Sequence, residues 1–160
     1  MNSIIKDYYP LFQNYQALRG QLMEILTDGD LAYRVAGDAT PSLGGLCREI
    51  GDTEYSYIQS FKTFTQDFSY HNPDPQLERS VAALTSWYAD LDRDLRAAIE
   101  AISEEDCAKR TIDRGGGFTV LPPVQIAIYN EALLIFYGKA SIYLKGLRKP
   151  LPQQWQDWIG

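Results

Sequence analysis

From Leu77 onward, apolar residues return at Val81, Leu84, Tyr88, Leu91, Leu95, Ala98 and Ile102 in alternating steps of four and three. Glu78, Arg79, Asp92, Arg93, Asp94, Arg96 and Glu100 take the remaining faces, so the pattern predicts one long amphipathic helix. Asp74 stands ready to cap its first amides, and Pro75 suits the first helical position, where a missing N–H costs nothing. Thr40-Pro41 predicts a second such start, with an inward line of Leu43, Leu46, Cys47, Ile50, Tyr57, Ile58, Phe61, Phe64 and Phe68. That line is interrupted midway, because Thr53 and Glu54 fall where apolar groups belong. Another helix is predicted from about Thr119 to Leu147, with Pro122 and Pro123 in its first turn. Its middle, IAIYNEALLIFY, is apolar nearly all round, which predicts the most buried helix of the set. The first helix covers roughly residues 3–26, with Pro10 either opening or kinking it. Four long helices and no sustained period-two alternation predict an all-α fold: a four-helix bundle with long inter-helix connections, one domain over residues 1–160. The tail LPQQWQDWIG, with Trp155 and Trp158, reads as a short C-terminal segment packed onto the bundle.

The connections after the first and third helices resemble each other. Thr27, Asp28, Asp30, Ala32 and Arg34 correspond at one offset to Ser103, Glu104, Asp106, Ala108 and Arg110, which predicts a capped helical turn in each place. The chain therefore reads as two helix–loop–helix halves related by a pseudo-twofold axis.

Charge and composition narrow the chemistry. The balance of 15 basic against 21 acidic side chains, a net −6, repels a phosphate backbone and excludes nucleic acid as the default partner. The cations Lys145, Arg148 and Lys149 cluster at the end of the last helix, where they offset the helix dipole. Val120 to Tyr137 is broken by two prolines and three polar residues, short of a membrane span. With no signal peptide at the start, a cytoplasmic protein is expected, with Cys47 and Cys107 reduced and buried. One histidine and two cysteines cannot make a closed Cys₂His₂ or Cys₄ zinc site. His71 lies in a proline- and asparagine-rich turn, read as a solvated loop residue, and no G-x-S-x-G elbow accompanies any serine. Gly115-Gly116-Gly117 lacks the strand and the Gly-Lys-Ser/Thr of a phosphate cradle and reads as a flexible connector. Glu131, inside the apolar run, is expected to be buried and to need a partner.

The order of these features is familiar. The turn LTDGDLAYRV, the stretch TPSLGGLCREIGDTEYSYIQSF and the closing YNEALLIFYGKASIYLKGLRKPLPQQWQDWIG resemble the DinB/YfiT-like superfamily of four-helix bundles over nearly the whole chain. Enzymes of that family hold a divalent metal with three histidines, one on the second helix and two spaced by four on the last. Several are metal-dependent thiol transferases, isomerases or hydrolases. The resemblance puts the second-helix ligand on Glu49 and the last-helix pair on Ala132 and Phe136, followed by Gly138 and Lys139. Alanine and phenylalanine cannot bind metal, and one carboxylate does not make a preformed transition-metal site. A last-helix register shifted by one would instead bring Glu131 beside Glu49, a pair suited to Mg²⁺ or Mn²⁺.

The resemblance implies a DinB-like bundle without the catalytic metal, no cofactor, and a central pocket near Glu49, Thr53, Tyr129, Glu131, Ala132 and Phe136 that binds a small molecule or is filled by Phe136. Two alternatives stand beside it: a metal-dependent thiol transferase or hydrolase using carboxylate ligands, and a homodimeric interaction module.

Overall fold

The structure, a computed structural model, describes residues 1–35 and 40–160. It is all-α apart from one minimal hairpin. The helices are α1 (Tyr9–Ile25), α2 (Leu43–Thr63), α3 (Val81–Glu100), α4 (Glu104–Lys109), α5 (Pro122–Gly146) and α6 (Gln153–Trp158). The hairpin pairs β1 (Ile112–Asp113) antiparallel with β2 (Thr119–Val120). No helix among the described residues is long and apolar enough to cross a membrane.

The long helices pack in the ring order α1, α3, α2, α5. Consecutive α1 and α2 therefore face each other across a diagonal, as do α3 and α5, and each of these two connections crosses an end of the bundle. The inward stripes meet in one core that includes Phe12, Leu22, Leu46, Ile58, Leu95, Leu133 and Trp155.

Helix boundaries differ from the expected ones where a serine competes with a proline signal. Helix α2 begins after Ser42, whose Oγ accepts the Gly45 N–H at 3.0 Å, two residues beyond Thr40-Pro41. Asp74 does cap, accepting the Gln76 N–H at 2.9 Å, but Pro75–Glu78 makes only a 3₁₀ turn and α3 restarts after the Ser80 cap. At the other end of α2, Phe64 adopts φ 60° and stops the helix, so Phe68 lies outside it and is exposed. Pro10 falls in the first turn of α1, and a π-helical turn, Ile4–Tyr8, runs directly into it, so the helical path begins before the proline.

Thr119, expected in the last helix, is in β2. The three glycines make the tight turn of this hairpin, with φ of 85°, 61° and 80°, a left-handed run that side chains resist. The hairpin is tied to the chain just after α2 by Gln66 N–H to Asp113 O at 2.7 Å.

The two matching turns are both capped. Thr27 and Asp30 form a capping box around the 3₁₀ turn Asp28–Ala32, and Ser103 Oγ accepts the Asp106 N–H at 3.0 Å at the start of α4. They also act reciprocally. An Asp28 carboxylate oxygen accepts the Val81 N–H that opens α3 (2.8 Å), while the corresponding Glu104 accepts the Ser3 N–H at the start of the first helix (2.6 Å). Asn2 completes the second contact, donating Nδ2–H to the Ile99 and Ile102 carbonyls at 2.7 and 2.9 Å.

In the tail, Trp155 is fully buried and donates to the Leu18 carbonyl at 3.0 Å, whereas Trp158 is largely exposed against Tyr15.

Candidate functional site

Helices α2 and α5 are neighbours in the ring, and residues three, four and seven apart on each face the other. Leu46, Glu49, Ile50 and Thr53 from α2 and Ala132, Ile135, Phe136 and Lys139 from α5 line an open cleft of about 160 Å³. A second hollow of about 350 Å³ continues it, sharing Leu46, Glu49 and Lys139 and adding Val35, Thr40, Pro41, Ile142 and Tyr143. The floor is apolar and the rim carries one carboxylate and one ammonium. Phe136 is buried in the floor with its ring 5.3 Å from Tyr137, taking up volume that a smaller side chain would leave open.

Four of the six expected pocket residues therefore come together: Glu49, Thr53, Ala132 and Phe136. The other two do not. Tyr129 is fully buried on another face of α5, its ring 4.5 Å from Tyr57 and 5.3 Å from Phe12. Burial pushes its phenol well above the ordinary range.

Glu131 is exposed, not buried, and borders a different hollow with Asp7, Tyr8, Leu11 and Asn130. The reason is that α5 is not buried all round. Val124, Ile135 and Ile142 are 47, 62 and 55 % exposed, so apolar neighbours in sequence did not mean an apolar environment for Glu131. The shifted register that would pair Glu131 with Glu49 is not the one in the structure. Among the described residues, no three His, Cys, Asp or Glu side chains are grouped as a metal site.

The buried carboxylate is Glu54, the polar interruption in the α2 stripe. Its Oε2 accepts from Arg19 of α1, which also pairs with Asp92 of α3, and Gln16 donates to the same Asp92 oxygen. The guanidinium lies 4.1 Å from the centre of the Tyr88 ring. Burial and the nearby Asp92 push Glu54 up to about 7 against the pull of Arg19. Burial alone would lower Arg19, but the two carboxylates raise it well above its ordinary value. The sequence signal for Glu54 was visible; its partner was not, because nothing in ALRGQLME marks Arg19 as inward.

Cys47 and Cys107 are buried and not bonded to each other. Burial pushes the Cys47 thiol up to about 12, which removes it as a nucleophile near neutral pH.

No protein-family model matches the chain, and no curated protein matches its sequence.

Proposed function

We propose that the chain is a DinB-like bundle in which the family's metal position has become a small-molecule cleft, and that it binds its ligand without a catalytic metal. One observation carries this reading: Glu49, Ala132 and Phe136, the three positions to which the resemblance assigns metal ligands, line a single cleft, and two of them carry side chains that cannot ligate. A space of about 160 Å³ takes a molecule of roughly benzene size. The apolar floor selects a compact apolar body, and Glu49, Thr53 and Lys139 select a polar substituent at the rim.

The rival, a carboxylate-ligated metalloenzyme, draws less support because Glu49 and Glu131 border different hollows. Metal analysis of untagged protein separates the two. Protein free of bound metal, with benzylamine or benzoate shifting the methyl signals of Ala132 and Ile135 in a saturable way, is the expected result. Stoichiometric metal that disappears in Glu49→Ala would overturn it.

Exposed Ile135 and Ile142, which border the cleft and the hollow that continues it, favour a second reading, a homodimer formed over that face. Sedimentation that gives a dimer in the parent and a monomer in Ile142→Asp supports it, and a monomer at micromolar concentration in both removes it.

A further inference from the structure

Two charges of the cleft have no partner in the protein. Glu49 on α2 and Lys139 on α5 each line both the cleft and the hollow that continues it, so they stand on facing walls where the two spaces meet. Both residues are exposed, so their charged ends are open to an incoming molecule. Among the described residues, the Glu49 carboxylate and the Lys139 ammonium pair neither with each other nor with any other charge. Their surroundings differ: Arg48 Nη1 pairs with Glu78 at 2.6 Å, and His71 Nδ1 lies 3.0 Å from Asp52 Oδ2. The hydroxyls beside them are engaged as donors as well, Thr53 to the Glu49 carbonyl at 2.9 Å and Tyr143 to the Pro41 carbonyl at 2.8 Å.

Of the described residues lining the two spaces, only Glu49 and Lys139 carry a charge. That fixes what the walls can recognise. An organic anion meets Lys139 but brings its charge up to Glu49, and an organic cation meets Glu49 against the repulsion of Lys139. A molecule with one charge of each sign meets both walls without a like-charge contact. Little opposes its entry, because two opposite charges that remain in water hold each other only weakly. Beneath them, Leu46, Ile50 and Phe136 are buried and form an apolar floor, and the cleft of about 160 Å³ matches an apolar group near benzene in size.

We propose that the ligand is a free α-amino acid with a phenyl or branched aliphatic side chain, an inference that rests on the cleft being a small-molecule site. Glu49 receives the ammonium, Lys139 receives the carboxylate, and the side chain lies on Leu46, Ile50 and Phe136. The α-carbon is what makes this class fit. It carries both charges and the side chain at one point, so the charges stay at the rim while the side chain turns to the floor. A peptide places its terminal charges at opposite ends of a chain and offers this rim only one of them. A charged side chain, as in lysine or glutamate, would bring its charge onto the apolar floor and is disfavoured by the cost of desolvating it.

The test titrates the full chain with L-phenylalanine, hydrocinnamate and phenethylamine and follows the methyl signals of Ala132 and Ile135. The three share a phenyl group; hydrocinnamate lacks the ammonium and phenethylamine lacks the carboxylate. Phenylalanine is expected to bind about fivefold more tightly than either, the worth of one charge contact that remains partly in water. Glu49→Gln, at an exposed position, should erase the advantage over hydrocinnamate while hydrocinnamate itself binds as well as before or better. Lys139→Gln should do the same for phenethylamine. These crossed responses distinguish charge recognition from a structural change, which weakens all three ligands alike. Phenylalanine bound no more tightly than either analogue, or all three weakened equally by either substitution, overturns the amino-acid assignment and leaves the small-molecule reading standing. No saturable shift with any of the three overturns both.

Discussion

Arg19 is 1 % exposed and Glu54 is fully buried, so neither charge has water to fall back on. Removing one partner leaves the other uncompensated in the core, which costs more than the pair contributes. Arg19→Met is accordingly expected to lower unfolding free energy by about 3–5 kcal/mol in urea, and adding Glu54→Leu to recover most of that loss. The same carboxyl sets a pH dependence. Glu54 stands at about 7 in the fold against 4.5 in the unfolded chain, so between these values the native state keeps a proton that the unfolded state has released. Stability therefore falls as pH rises through that window and levels above it, by on the order of 3 kcal/mol for this group. Urea curves across the window measure it, and Glu54→Gln removes that part of the slope; parallel profiles for parent and variant would refute the assignment. Glu54 was legible as a break in an apolar stripe, but Arg19 and Asp92 were not, since 35 and 38 positions separate each from Glu54 and periodicity carries no information about cross-helix partners. Glu131 was misread for the complementary reason: a helix whose outer face is also apolar gives its polar residues no sign of which way they point.

Element boundaries turned on small residues. The helix starts expected at Thr40-Pro41 and Asp74-Pro75 combine a side-chain acceptor with a fixed φ, yet Ser42 and Ser80 carry the caps of α2 and α3, accepting the Gly45 and Ala83 N–H groups of the first turns that form. The faces of the helices were legible, but Glu49, Thr53, Ala132 and Phe136 were grouped by the family resemblance and not by the stripes. Two glycines show how context decides the worth of a position. A Cβ on Gly138 in α5 would meet nothing within 4 Å, so Gly138→Ala is expected to stabilise by about 0.5–1 kcal/mol through helix propensity. A Cβ on Gly44 in α2 would fall inside the Glu78 backbone carbonyl, where no rotamer can yield. Gly44→Ala should therefore destabilise by about 1–3 kcal/mol as the 3₁₀ turn is pushed off α2. Thermal unfolding of the two variants side by side should give shifts of opposite sign.

At the scale of the whole molecule, the cations at the end of α5 serve the chain itself. Lys149 Nζ pairs with Asp30 at 2.7 Å and reaches the Ile25 carbonyl at 3.2 Å, and Lys145 Nζ reaches the Gly160 carbonyl at 2.5 Å. With these charges engaged and the net charge at −6, duplex DNA should give no salt-sensitive mobility shift at physiological ionic strength. The number of long helices was legible in the sequence, but their ring order was not, because a stripe says which side faces inward and not which neighbour it meets. Connection length gave no sign of it either, since residues 64–80 between the neighbours α2 and α3 span as much chain as residues 26–42 between α1 and α2. The reciprocal contacts at the two matching turns also set an order of events during synthesis. Ser3 is made 101 residues before Glu104 exists to receive its N–H, and Leu18 is made 137 residues before Trp155 can cover its carbonyl. The first helix therefore stands with its start open until Glu104 has been made and with one flank unsealed until Trp155 has been made.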